Sequence, residues 1–262
     1  MWNALKRHWP EYLMEAAGLG LFMVSASVFT VLLFHPSSPI PGLLPGEFVR
    51  RALMGLAMGT TAVAIIFSPW GKQSGAHLNP AVTLTFCRLG KVAPWDAAFY
   101  IAAQFVGGVA GVALVALAAG KFLTHPSVNY VATLPGAGGS GLAFAGEAVI
   151  SFVLMTVVLA VSNTAKLARF TGLFAGACVA LFITFEAPIS GMSMNPARSF
   201  GSAALPHLWD SLWIYFAAPP LGMLAAAALR RRLQRAVACA KLHHQNAKRC
   251  IFCEYQTTRK NL

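Results

Sequence analysis

Six stretches of mostly apolar side chains, at about 12–34, 48–68, 97–120, 142–165, 170–185 and 211–229, decide what this chain can become. A helix of ~20 residues crosses the hydrocarbon core of a bilayer, and inside that core only helices or closed barrels satisfy the backbone. The run at 170–185 is short and must borrow flanking residues. Charged residues make up 11% of the chain, against about 25% in an ordinary soluble domain. The reading is an all-α integral membrane protein. The first run lacks a small-residue cleavage site and is expected to stay as a span.

Six spans put both termini on one side. With the termini inside, sixteen Lys and Arg face inward and four, Arg50, Arg51, Lys121 and Arg198, face outward. Both ends are therefore expected in the cytoplasm, with the protein in the plasma (cell inner) membrane. Arg50 and Arg51 run against the rule and mark the outer mouth of the second span. From 229 to 262 there are nine Lys or Arg and one acid, Glu254. After a span, such a tail points to topology and attraction to anionic lipid, not to nucleic acid. Its thiols are expected to be reduced. His243, His244, Cys250 and Cys253 offer two imidazoles and two thiolates for zinc. Adjacent histidines are awkward ligands, so the expectation is an unstructured basic tail with no metal. No cofactor is expected.

The chain reads as two halves. The first span begins "YLMEAAGLGLFM" and the fourth "LAFAGEAVISFVLM", each with one acid near its start, Glu15 and Glu147. Three spans per half make the second half enter from the opposite face, an inverted repeat. The division is 1–134 for the first repeat, 135–230 for the second and 231–262 for the tail. Gly pairs at 55 and 59, 107 and 111, and 172 and 176 are spaced for close helix packing.

Each half carries Asn-Pro-Ala in a segment too polar to span and too apolar for a loop: Asn79-Pro80-Ala81 and Asn195-Pro196-Ala197. Asn is a good N-cap, and Pro suits the first helical position, where its missing N–H would be unpaired. Short re-entrant helices are expected at 80–86 and 196–204. Inverted symmetry brings their starts together near mid-bilayer. Each start carries roughly half a positive charge, and each Asn amide has N–H donors for a water oxygen. The lead-ins would supply carbonyl acceptors at Gly75, Ala76, His77, Gly191 and Ser193. Such a path passes single-file water and repels cations, and its central field breaks a proton wire.

"SGAHLNPAVT" and "MNPARSFGSA" resemble the signatures of the major intrinsic protein family, the aquaporins, over about 12–230. The resemblance implies an aquaporin-like bundle, right-handed, of six transmembrane helices plus two half-helices. It also implies one pore per subunit and a homotetramer. Its outer constriction falls on Met58, Ile183, Met192 and Arg198. Arg198 is the cationic wall, and Val82 is its counterpart in the first repeat. Glu15 and Glu147 accept hydrogen bonds from the lead-in backbone, and His77 shapes its loop. The family's strict water channels have an aromatic at the Met58 position and His at the Ile183 position, and this sequence has neither. Ser199, Ala203, Tyr215 and Phe216 point back toward water.

The expectation is a passive channel for water with leakage of small neutral solutes, excluding ions and protons. The alternatives are a facilitator mainly for glycerol, ammonia or hydrogen peroxide, or a proton-coupled transporter using Glu15 or Glu147. An enzyme would need a nucleophile–base pair or metal cluster in the spans. No G-x-S-x-G elbow, intramembrane His pair or paired aspartates occur.

Overall fold

A computed structural model describes residues 1–260. In chain order the helices are α1 (Trp2–Phe34), α2 (Ile40–Leu43), α3 (Glu47–Phe67), α4 (Pro69–Ser74), α5 (Pro80–Arg88) and α6 (Pro94–Leu123). They continue with α7 (Gly139–Ser162), α8 (Thr171–Phe185), α9 (Ala187–Ser190), α10 (Pro196–Ala204), α11 (Leu212–Arg232) and α12 (Ile251–Lys260). Six of them, α1, α3, α6, α7, α8 and α11, are long and apolar enough to span a membrane, α8 together with the 3-10 turn Ala168–Phe170 before it. Helix α1 begins at Trp2, well before its apolar run. The run marks only the lipid-facing length. The earlier turns are tied to α6, where Asp96 accepts from Tyr12 Oη at 2.6 Å and lies 2.8 Å from His8 Nδ1.

The packing repeats. α1 lies on α6 as α7 lies on α11, while the equivalent helices α3 and α8 pack on each other. The half-helices α5 and α10 wedge between α6 and α11. Small residues permit these approaches, since a side chain on one face would meet backbone on the other. A Cβ on Gly59 would lie 2.5 Å from the Gly176 carbonyl oxygen. A Cβ on Gly107 would collide with the Ala16 carbonyl.

The tail departs from expectation: it is folded. Val237, Ala240, Leu242, Ile251 and Phe252 are buried in the same apolar cluster as Tyr12, Ile66, Ala76 and Val82. Lys241 Nζ donates to the Lys72 carbonyl at 2.8 Å, and the Leu242 N–H donates to the Gly75 carbonyl at 3.1 Å. The average basicity of the tail hides a handful of apolar residues that find a surface on α4 and the loop after it.

Candidate functional site

Both Asn-Pro-Ala segments start helices, one slightly longer than expected. Asn79 Oδ1 accepts from the Ala81 N–H at 2.8 Å, and Asn195 Oδ1 accepts from the N–H groups of Ala197 at 3.0 Å and Arg198 at 3.2 Å. The other end of each amide crosses to the opposite repeat. Asn79 Nδ2 donates to the Met194 carbonyl and Asn195 Nδ2 to the Leu78 carbonyl, both at 2.7 Å. Two reciprocal bonds therefore clasp the helix starts together. A side-chain amide has two N–H donors, so each Asn keeps one beyond the clasp.

The lead-ins match residue for residue. Short helices α4 and α9 end on left-handed glycines, Gly75 (φ 99°) and Gly191 (φ 80°). Beyond them the left-handed region recurs at alternate residues, Ala76 and Leu78 in one repeat and Met192 and Met194 in the other, with φ between 49° and 55°. Non-glycine residues resist that region, so something must hold them there.

Glu15 and Glu147 do so. Glu15 Oε1 accepts from Ser74 Oγ at 2.7 Å and the His77 N–H at 3.1 Å, while Oε2 accepts from the Leu78 N–H at 2.6 Å and Gln104 Nε2 at 2.8 Å. Glu147 Oε1 accepts from Ser190 Oγ at 2.9 Å and the Ser193 N–H at 2.6 Å, and Oε2 from the Met194 N–H at 2.7 Å. Both carboxylates are fully buried. Sequence reasoning missed the partners. Ser74 and Ser190 bond the next turn, and Tyr100 and Tyr215 donate to their carbonyls at 2.7 and 2.6 Å. The signal was present for the serines, which stand five residues before each Asn. His77 Nε2 donates to the Ala240 carbonyl at 2.9 Å, and Nδ1 lies 3.0 Å from Thr83 Oγ1.

One cavity of about 570 Å³ threads the bundle. It is bordered by Glu47, Arg51 and Ser127, by Met58, Ile183, Met192 and Arg198, by Asn79 and Asn195, and by Val158, Ala175 and the tail residue Leu242. Val82 also lines it, as do Ala76, His77, Gly191 and Ser193. Arg198 Nη1 donates to the Val131 carbonyl at 2.9 Å, which fixes the guanidinium at the wall. Gly75 is off the lining, its carbonyl engaged by Leu242. The four residues that pointed toward water are also off it. Ser199 lies 2.6 Å from both Thr133 Oγ1 and Ser193 Oγ, Ala203 is buried, Tyr215 props Ser190, and Phe216 packs outside against the rings of Phe105 and Phe200.

Residues 4–229 match the family described as Major intrinsic protein. Over 208 residues the chain is 35% identical to Aquaporin NIP2-1 of Oryza sativa subsp. japonica, covering 78% of this chain and 67% of that protein. Over 185 residues it is 40% identical to a "Probable aquaporin NIP-type" of Nicotiana alata, covering 70% and 63%. The chain thus spans about two thirds of these relatives' lengths. In fold it is similar to the aquaglyceroporin from Plasmodium falciparum, with a TM-score of 0.70 at 21% identity, over 87% of this chain and 97% of that one.

Proposed function

We infer the function from one premise: this chain belongs to the major intrinsic protein family. It is an integral, multi-pass membrane channel for water and small neutral solutes, and not an enzyme. Within that class we read it as a facilitator mainly for small uncharged solutes such as glycerol, ammonia or hydrogen peroxide, with water passing as well. The observation that carries this reading is the wall beside Arg198. Met58, Ile183 and Met192 line the same cavity as the one strong donor Arg198, and methionine reshapes to fit different guests. Ser199, Ala203, Tyr215 and Phe216, which point toward water, are not among the residues that line the cavity.

The remaining roles follow. Arg198 and the free N–H of Asn79 and Asn195 orient the passing solute. The two helix starts, each with roughly half a positive charge, repel cations and protons. Ala76, His77, Gly191 and Ser193 offer carbonyls along the way. Both termini are assigned to the cytoplasm on the charge bias, in a plasma membrane, and the spans' exposed apolar faces suit a homotetramer.

Stopped-flow light scattering on proteoliposomes tests the filter with water and glycerol run in parallel. The double variant Met58→Phe/Ile183→His is expected to keep water flux and lose glycerol flux. Unchanged glycerol flux would mean that selection happens elsewhere. A proton-coupled transporter is the second reading. Against it, both candidate carboxylates are occupied by lead-in donors on each oxygen.

A further inference from the structure

The tail brings four metal-ligating side chains to one point. Cys239 Sγ lies 3.5 Å from Cys250 Sγ and 3.8 Å from Cys253 Sγ, and Cys253 Sγ lies 3.7 Å from His244 Nε2. All four ligand atoms fall within 4.8 Å of one another. A tetrahedron around zinc, with Zn–S near 2.3 Å and Zn–N near 2.0–2.1 Å, has edges of about 3.8 Å between sulfurs and about 3.6 Å between sulfur and nitrogen. The three spacings of 3.5, 3.8 and 3.7 Å match those edges, and the other pairs lie within 4.8 Å. They are far too long for a disulfide, whose sulfurs sit about 2.05 Å apart. Cys250 immediately precedes α12 and Cys253 is its third residue, in the first turn, so the helix start fixes the spacing of the pair. The Lys241 N–H donates to Cys239 Sγ at 3.5 Å, the outer bond that a ligating sulfur takes. His243, a ligand candidate from sequence, turns away to pack on Phe67 with 4.8 Å between ring centroids. Cys239 replaces it.

The same segment borders one end of the channel. Ala240, next to the ligand Cys239, takes the hydrogen bond of His77 Nε2. Phe252, between ligands Cys250 and Cys253, stacks on the His77 ring with centroids 5.2 Å apart and planes 2° from parallel. Leu242 occupies the Gly75 carbonyl and lines the cavity.

We propose that Cys239, His244, Cys250 and Cys253 form a site for a thiophilic divalent metal of the zinc class, and that the bound ion latches the tail as a plug on the channel's terminal-side mouth. This departs from the metal-free, unstructured tail expected from sequence. The plug rests on the channel reading above, whereas the metal site does not.

The test is metal analysis of the full chain, purified without a polyhistidine tag, followed by flux. About one zinc per chain is expected, lost in the C250S/C253S double variant and kept in C178S. In proteoliposomes of the wild-type protein, a membrane-permeant zinc chelator should raise glycerol and water flux several-fold. The double variant should already be fast and indifferent to chelator. Wild-type protein without zinc, zinc retained in the double variant, or thiols recovered as a Cys239–Cys250 disulfide would overturn the site. Full flux with zinc bound overturns the plug alone. No flux above empty vesicles in either protein overturns the plug and the channel reading together.

Discussion

At the residue scale, Glu15 and Glu147 do the same work on opposite halves. A carboxylate only accepts, and each of these faces donors on both oxygens. An amide in its place turns one acceptor into a donor facing an N–H. A buried donor left unpaired costs about 1–3 kcal/mol. Glu147→Gln is therefore expected to lower the melting temperature of the detergent-solubilised protein, and Glu15→Gln to lower it more, because Gln104 adds a fourth donor. Melting curves that overlay the wild type would show that the lead-ins hold themselves. The two acids were legible as a pair because each stands alone in an apolar run. Their donors were not, since a backbone N–H has no letter in the sequence. The alternate left-handed residues were equally hidden, because alanine, leucine and methionine take that conformation only under outside constraint.

At the element scale, the half-helices were legible because Asn and Pro each suit one position at a helix start. Helices α4 and α9 were not, since four to six residues carry no periodicity. Span packing was legible in part from glycine spacing, and that part can be tested. Gly107→Ala puts a methyl into the Ala16 carbonyl of α1 and should reduce the yield of monodisperse protein sharply. Gly141→Ala, in α7 with open space around it, should be neutral or slightly stabilising, since alanine favours helix over glycine by about 1 kcal/mol. Size-exclusion profiles of the two variants side by side decide the matter. If Gly107→Ala behaves like Gly141→Ala, the α1–α6 approach is looser than described. The tail was illegible for a different reason. Its contacts reach back more than a hundred residues, to Lys72, Gly75 and His77, and nothing local announces them.

At the scale of the whole molecule, transport requires no alternation between two shapes, because a cavity already runs past both helix caps. Flux of glycerol and water is expected to show weak temperature dependence and to ignore an imposed pH gradient. Solute accumulation driven by that gradient in sealed proteoliposomes would point to a transporter instead. The amide clasp between the repeats also has a consequence for how the protein is made. While the ribosome has delivered only the first repeat, the Leu78 carbonyl and one N–H of Asn79 lie in the membrane interior without the groups that will later satisfy them. A chain halted there is an intermediate the bilayer penalises.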